Sequence, residues 1–254
     1  MQVGIDLGSR TIKTVALHNG AIVSHSVIES GFEPHRQALQ QLAPYSDARV
    51  VATGYGRHLM QQHAELDIIT EIKAHALGAR HWVPKCRTIL DVGGQDSKVI
   101  QLDAHGKVSS FQMNDKCAAG TGRFLEMMAV SLGFGLEDFG QAAAEAEAGS
   151  PINSMCAVFA ESEVVSLRNR GVPPAEIARS VHLAVASRLA AMVAKSGHGD
   201  HLVFTGGVAN NSVLATLLEQ NLGVPVVVPE HPSIMGALGA ALHAVVLSPV
   251  ADQG

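Results

Sequence analysis

A pattern of three consecutive strands occurs twice in this chain, and it constrains the fold more than any other sequence feature. The β-prone runs of the two copies lie at 2–7, 11–17 and 21–27, and again at 87–92, 97–102 and 107–113. His18-Asn19-Gly20 is a hairpin turn signal within the first copy. In both copies the first run ends in Asp-x-Gly, at Asp6 and at Asp91. We therefore predict a duplicated α/β fold with two lobes.

The segments between and after the two copies are mainly helical in pattern. The predicted helices lie at 33–42, 70–82, 116–131, 136–147, 157–169, 174–196, 210–221 and 234–247, and further strands at 49–53, 201–205 and 224–228. Thr70 is the expected N-cap of the second helix. We expect a first lobe over 1–86 and a second lobe over 87–233, with the helix 234–247 packed back on the first lobe.

Composition excludes several classes of protein. Of the 254 residues, 47% are hydrophobic and 16% are charged, which allows a buried core and excludes a fully disordered chain. A net charge of −5 lacks the basic footprint of a nucleic-acid binder. Neither a signal peptide nor an apolar run of about 18 residues is apparent, so we expect a cytoplasmic protein with no membrane association. Three cysteines are too few for a disulfide framework and favour free thiols or metal ligands.

Three glycine-rich turns each follow a predicted strand. Their sequences are DLGS at 6–9, DVGGQD at 91–96 and TGGV at 205–208. Glycine lets backbone N–H groups approach a phosphate without obstruction by a side chain, and an aspartate beside the turn suits Mg²⁺. One such turn alone is most often an ordinary tight turn. Three of them in repeated strand contexts indicate a nucleotide site, although no Walker P-loop is present.

The residues around these turns can be given roles in ATP hydrolysis. We expect Asp6 and Asp91 to hold Mg²⁺ through water, and the Gln95-Asp96 pair to orient the attacking water. Lys13 lies on the strand after the first turn, as Lys98 does after the second, and both could reach phosphate as point charges. The residues predicted to contact the nucleotide, ATP or ADP, are Gly8, Ser9, Arg10, Thr11, Lys13, Gly93, Gly94, Gly206, Gly207 and Val208.

Cys117 and Cys156 each lie at the start of a predicted helix. The helix dipole and the free N–H groups there lower the pKa of a thiol. Two cysteines cannot fill the four-cysteine site of an iron–sulfur cluster, but a symmetric dimer supplies four. The residues alone thus allow a 4Fe–4S cluster shared across a two-fold axis. The competing interpretation is that both are ordinary buried cysteines.

Four longer motifs connect the predicted nucleotide site with a known superfamily. The segments DLGSRTIK, DVGGQDSK, FTGGVANN and MGALGAAL resemble the phosphate-1, phosphate-2, adenosine and closing motifs of the actin-like ATPase superfamily. This resemblance implies the fold of sugar kinases, actin and heat-shock chaperones, with a nucleotide cleft between the lobes. It also places Asn210 and Ser233 near the adenosine, although helix capping would explain either residue.

The two cysteine segments resemble a narrower group. MNDKCAAGTGRFLE and CAVFAESEV are similar to the cysteine motifs of the ATP-dependent reductive activators of 2-hydroxyacyl-CoA dehydratases, whose relatives include the ATPase subunits of benzoyl-CoA reductase. The resemblance extends along essentially the whole chain. It implies a homodimer with one 4Fe–4S cluster held by Cys117 and Cys156 of each subunit. It further implies ferredoxin or flavodoxin as electron donor and an iron–sulfur CoA-ester dehydratase or reductase as partner.

Several alternatives stay open at this point. A small-molecule kinase of the same superfamily would share the nucleotide motifs, and a nucleotide-dependent scaffold or chaperone would share the fold. Cys86 has no place in the cysteine motifs and is expected to act as a small hydrophobe. His75 is expected to be a core or interface residue. Gly236 and Gly239 are expected to permit close helix packing.

Overall fold

The computed structural model describes residues 1–152 and 157–247 of the chain. These residues fall into two compact units. The first unit comprises Met1–Cys86, Leu102–Val108 and residues 229–247, and the second comprises Arg87–Gln101 and the described part of Ser109–Val228. The chain therefore passes between the units more than once, because the short hairpin turn at 102–108 groups with the first unit.

Each unit is built on a mixed five-stranded sheet, and the two sheets share one topology. The first sheet contains β1 (Gln2–Leu7), β2 (Thr11–His18), β3 (Ala21–Glu29), β4 (Arg49–Thr53) and β5 (Asp67–Ile68) in the order β3-β2-β1-β4-β5. The second contains β6 (Thr88–Val92), β7 (Ser97–Leu102), β8 (Val108–Asn114), β9 (Leu202–Thr205) and β10 (Val226–Val227) in the matching order β8-β7-β6-β9-β10. The predicted duplicated α/β fold is confirmed. In each sheet the first strand of the meander is central, with an antiparallel neighbour on one side and a parallel neighbour on the other.

The described helices agree closely with the sequence pattern over most of the chain. They are α1 (Pro34–Leu42), α2 (Arg57–His63), α3 (Glu71–Trp82), α4 (Gly122–Ser131), α5 (Leu136–Glu145), α6 (Ala157–Asn169), α7 (Pro174–Ser196), α8 (Ser212–Leu222) and α9 (Met235–Leu247). Thr70 caps α3 as predicted, since its side chain accepts a hydrogen bond from Lys73 N–H. The hairpin turn is also confirmed, because Asn19 and Gly20 both have the positive φ of a type I′ turn.

Four features of the secondary structure differ from the prediction. Of the strand predicted at 224–228, only Val226–Val227 forms β10. The helix predicted at 116–131 begins only at Gly122, because residues 115–121 form a loop in which Gly120 has a φ of +95°. The short helix α2 was not predicted, nor was the strand β5, which is only two residues long. A two-residue strand is too short to carry an alternating pattern, so pairing with β4 alone reveals it.

Helices cover both faces of the first sheet. Ile5 and Leu7 of β1 pack with Ala38 of α1 and Met60 of α2, all of them buried. The alternate residue Gly4 faces α9, which also packs on α3. Gly78 and Gly239 allow this close approach, since a Cβ on either would overlap a backbone carbonyl of the facing helix. The expected role of Gly239 in helix packing is thus confirmed.

Gly4→Ala is expected to destabilise the protein by about 3 kcal/mol or more, because overpacking against backbone has no flexible side chain to yield. A Cβ on Gly4 would overlap the carbonyl oxygen of Ala237 and the amide nitrogen of Ala241. Urea unfolding measures the change. Gly199→Ala is the matched control, since its added Cβ would meet only the Arg87 side chain, whose nearest atom is Cβ at an ordinary 3.4 Å. Equal stability of the two variants would contradict the packing of α9 on β1.

A large core cluster in the second unit is formed by its sheet and helices. Leu90, Val99 and Phe204 from the sheet pack with residues of α4, α5, α6, α7 and α8.

By length and composition α7 could cross a membrane, with a mean hydropathy of 1.3, whereas no such segment was expected from the sequence. Core helices of soluble proteins meet the same criterion, and 56% of the apolar window in α7 is buried inside the protein. Ten of its residues are buried, as a core helix requires.

Candidate functional site

An aspartate and a lysine face each other at the end of the central strand of the first sheet. Asp6 and Lys13 are register partners across β1 and β2, and Lys13 Nζ lies 3.1 Å from Asp6 Oδ2. Asp6 is only 2% exposed. The turn after β1 is closed by Gly8 N–H, which donates to the Thr11 carbonyl oxygen at 3.1 Å. The fold thus positions a buried carboxylate and an ammonium beside a tight glycine turn.

The second sheet repeats this arrangement. Asp91 and Lys98 are register partners across β6 and β7, and both are buried. Lys98 Nζ lies 3.5 Å from Asp91 Oδ2 and 2.8 Å from Asp96 Oδ1. Gly93 N–H donates to the Asp96 carbonyl oxygen at 2.9 Å, which closes the turn. In the second unit one lysine charge is therefore shared between two carboxylates.

A Thr-Gly pair completes each strand end. Gly206 was among the residues predicted from the sequence, whereas Thr53 and Thr205 were not. Asp6 is the register partner of Thr53 on the parallel strand β4, and Asp91 is the register partner of Thr205 on β9. Thr205 Oγ1 donates to Asp91 Oδ1 at 3.2 Å. The glycines that follow, at 54 and 206, have φ angles of +85° and +89°. The repeated Thr-Gly after a predicted strand was the available signal, but only the strand register shows that it faces the aspartate.

The Asp6 carboxylate has the features expected of a cation site. Its Oδ1 atom is buried, and no hydrogen-bond donor in residues 1–152 or 157–247 reaches it. Two glycines border the carboxylate: a Cβ on Gly54 would overlap Oδ1, and a Cβ on Gly236 would lie 3.0 Å from Oδ2. A buried acceptor without a donor needs a partner. A hydrated Mg²⁺ would supply one, because its bound waters donate to carboxylates.

The remaining nucleotide residues predicted from the sequence occupy the turns. Ser9, Arg10, Gln95, Gly207 and Asn210 are exposed, and Thr11, Gly93, Gly94 and Ser233 are half-buried, whereas Gly206 and Val208 are buried. Asn210 Nδ2 donates to the Gly207 carbonyl oxygen at 3.0 Å, which is a local capping role. Asn211 rather than Asn210 caps α8, since its side chain accepts from Leu214 N–H. Ser233 belongs to the first unit and lies in a short 3₁₀ turn, Pro232–Ile234.

Cys117 lies in a loop between β8 and α4, so its predicted place at a helix start was wrong. The helix begins five residues later because a turn closed by Thr121 N–H and the Ala118 carbonyl oxygen precedes it. Cys117 is half-buried, and its carbonyl oxygen accepts from Asn114 Nδ2 at 3.0 Å. Cys156 lies outside the described residues, which resume at Ala157 with α6.

Cys86 differs from Cys117 in its surroundings. It is 1% exposed, and burial raises the pKa of its thiol to about 11. Thiols are alkylated as thiolates, and only about a thousandth of such a thiol is ionised at pH 8. This confirms the expectation that Cys86 behaves as a small hydrophobe.

We predict that iodoacetamide leaves Cys86 of the folded protein unmodified at pH 8, and that its alkylation rate rises about tenfold for each pH unit up to about 11. Peptide mass spectrometry measures the rate, with the urea-unfolded chain as reference. A rate at pH 8 equal to that of the unfolded chain would contradict the burial of this thiol.

Comparison with known proteins gives a consistent family. Residues 3–244 match the model of the BadF/BadG/BcrA/BcrD ATPase family. The chain is 42% identical to the activator of lactoyl-CoA dehydratase from Anaerotignum propionicum, over 95% of this chain and 96% of that protein. It is 33% identical to one of the subunits of benzoyl-CoA reductase from Thauera aromatica, over 94% of this chain and 91% of that relative.

Solved structures extend the similarity to the fold. The activator of 2-hydroxyisocaproyl-CoA dehydratase from Clostridium difficile, with bound ADPNP, superposes with a TM-score of 0.90 at 37% identity. That match covers 97% of this chain and 94% of the other. A ROK family glucokinase from Streptomyces griseus matches with a TM-score of 0.62 at 12% identity over 96% and 99% of the two chains, which concerns the fold alone. The fold is therefore that of the actin-like ATPases.

Proposed function

Because the chain belongs to the BadF/BadG/BcrA/BcrD ATPase family, we propose that it is an ATP-hydrolysing iron–sulfur electron donor that activates a CoA-ester dehydratase or reductase. One observation supports this most strongly. The loop that carries Cys117 leads into α4, whose first amides donate to the carbonyls of Gly93 and Gly94. A glycine turn of the kind that binds phosphate and a potential cluster ligand are thereby joined in one unit of the protein.

In this proposal the two strand ends bind Mg-ATP. Asp6 and Asp91 hold the hydrated Mg²⁺, and the glycine turns at 8 and 93–94 donate backbone N–H groups to the phosphates. Lys13 supplies a positive charge to the phosphates, and Gln95 with Asp96 orients the attacking water. Residues 206–208 and Asn210 contact the adenosine, as does Ser233. When bound, the metal neutralises phosphate charge. The products are ADP and phosphate.

Cys117 and Cys156 are the proposed ligands of one 4Fe–4S cluster shared by two subunits. Cluster irons bind thiolates, and a thiol with the raised pKa of Cys86 is poorly suited to that role. The chain contains three cysteines, so two remain for each subunit and four for a homodimer. The half-buried Cys117 on an irregular loop fits such a ligand. When bound, the cluster supplies a carrier for one electron.

The proposed partners follow from what the relatives are named for. An activator of a dehydratase needs a CoA-ester dehydratase to activate, and the similarity to part of a benzoyl-CoA reductase adds an iron–sulfur reductase as the other partner class. We propose reduced ferredoxin or flavodoxin as electron donor and the cytoplasm as location.

A small-molecule kinase is the alternative function, and its support is the fold that the chain shares with ROK kinases.

Anaerobic reconstitution tests the proposal. The protein, dithionite and Mg-ATP are mixed in turn with a 2-hydroxyacyl-CoA dehydratase and with the core subunits of a benzoyl-CoA reductase. Each partner is given its own CoA-ester substrate. We expect one of the two partners to form its dehydrated or reduced CoA ester only when this protein and ATP are both present, and to form none with ADPNP. ATP consumption that yields a phosphorylated sugar or acid, without any need for iron, would contradict the proposal and favour the kinase.

A further inference from the structure

The loop that carries Cys117 is hydrogen-bonded to the Gly93-Gly94 turn at its far end. Gly122 N–H donates to the Gly93 carbonyl oxygen at 2.9 Å, and Arg123 N–H donates to the Gly94 carbonyl oxygen at 2.8 Å. These are the first two residues of α4, whose initial amides have no acceptor within the helix. The turn carbonyls supply those acceptors, so the turn and the start of α4 are held together through their backbones.

Ser97 makes a third hydrogen bond from the same hairpin, and this one reaches the loop itself. It is the register partner of Val92, 1% exposed, and its Oγ donates to the Gly120 carbonyl oxygen at 3.2 Å. Gly120 is three residues from Cys117. A side chain from the strand after the turn therefore fixes the loop at a point between the cysteine and α4.

The start of α4 also packs tightly against two of the glycine-rich turns, those at 91–96 and 205–208. A Cβ on Gly122 would lie 3.1 Å from Val208 Cγ2 and 3.2 Å from the Gly93 carbonyl oxygen. Both distances are shorter than ordinary van der Waals contact. Displacement of either turn is thus transmitted to α4, because packed atoms without free volume move together.

A cavity of about 380 Å³ borders the loop beside the Ser97–Gly120 hydrogen bond, and it is lined by Ser97, Asn114, Gly120, Arg188 and Met192 among others. Asn114 and Gly120 flank Cys117 in the sequence. The loop can therefore shift on this side without first displacing the core of the unit.

We propose that Ser97 is a positioning residue that couples the nucleotide state of the Gly93-Gly94 turn to the exposure of Cys117. The inference deepens the proposed function and rests on it. The bond to Gly120 makes the loop follow the hairpin when the phosphate at the turn changes. Without that bond the turn still binds nucleotide and still holds the start of α4 through Gly122 and Arg123. The segment from Cys117 to Gly120 is then no longer tied to the hairpin, so the cysteine no longer responds to the nucleotide.

The test uses the full iron-free chain and follows iodoacetamide alkylation of Cys117 by peptide mass spectrometry. In the wild type we expect the rates with ADP and with Mg-ADPNP to differ at least about fivefold, the lower end of typical allosteric coupling. In Ser97→Ala the two rates should agree within about twofold, with the dissociation constant for ADPNP unchanged within about threefold. Ser109→Ala is the matched control, because Ser109 Oγ also donates to a backbone carbonyl, that of Gln101, at 3.2 Å.

Modification of Cys86 in the same samples reports unfolding, because this thiol is buried. If Ser97→Ala unfolds, the test is repeated with Ser97→Thr and Ser97→Val, whose side chains have nearly the same volume as each other. Only the threonine variant, which keeps the hydroxyl, should keep the difference in Cys117 alkylation rate between the two nucleotides. A difference that persists in Ser97→Ala or in Ser97→Val would overturn the proposal. So would a wild type that binds both nucleotides with equal Cys117 rates, and this result would leave the proposed function standing. A wild type that binds neither nucleotide would refute both.

Discussion

Asp91→Asn is expected to lower the rate of ATP hydrolysis at least about a hundredfold, the usual effect of removing a group that stabilises transition-state charge. The carboxylate lies at the end of the central strand of the second sheet, where it pairs with the buried Lys98 and accepts from Thr205. An amide keeps the shape but loses the charge that is proposed to hold hydrated Mg²⁺. Asp6→Asn should have an effect of similar size, because its strand end repeats the arrangement.

Stability must be measured alongside activity, because breaking a buried ion pair costs about 3–5 kcal/mol. In Asp91→Asn the free energy of unfolding should fall by less than this, since Asp96 Oδ1 stays 2.8 Å from Lys98 Nζ. Phosphate release and urea unfolding are followed on the same preparation. Asp200→Asn is the matched control, because this aspartate is exposed in the same unit. A folded Asp91→Asn protein with the wild-type hydrolysis rate would show that the strand ends do not bind the metal–nucleotide complex.

Cys117→Ser is expected to reduce the iron content of anaerobically purified protein to less than about a tenth of the wild-type value. The wild type should contain about two irons per chain, since the proposed four-iron cluster is divided between two subunits. Serine keeps the size of the side chain but offers no soft thiolate. Nucleotide binding should survive, because the Gly93-Gly94 turn bonds to Gly122 and Arg123 through backbone atoms alone.

The three cysteines supply their own controls in this experiment. Cys156→Ser should lose iron as Cys117→Ser does, and Cys86→Ser should retain it, because Cys86 is a buried thiol with a raised pKa. Iron is measured by a colorimetric assay, and reduced clusters by EPR. Full iron content in Cys117→Ser, or loss of iron in Cys86→Ser, would contradict the ligand assignment.

Much of the fold could be predicted because its signals are local. The bounds of β1 and α7 follow from apolar pattern and turn residues, and the duplication follows from the repeated Asp-x-Gly after a strand. The two central aspartates and the two lysines were likewise identified from the turns. Their facing positions across the hairpins follow from antiparallel register, once the turn length is known.

The features that were missed depend on contacts distant in sequence. Thr53 and Thr205 meet the aspartates only because β4 and β9 pair in parallel with the central strands. The late start of α4 goes with the hydrogen bonds of Gly122 and Arg123 to a turn some thirty residues earlier, although the glycines at 120 and 122 were a local signal against helix before Gly122. The role proposed for Ser97 likewise rests on a distant contact, because its hydrogen-bond partner Gly120 lies in the loop before α4.

The most direct test of whether nucleotide state controls an electron carrier in this chain is EPR. The spectra of the reduced, anaerobically purified protein are recorded with ADP and again with Mg-ADPNP. We predict a reduced iron–sulfur signal in both samples, with a spectrum that differs between the two nucleotides and that is absent from Cys117→Ser. Identical spectra in both nucleotide states, or an iron-free protein that still hydrolyses ATP, would contradict an ATP-driven electron donor.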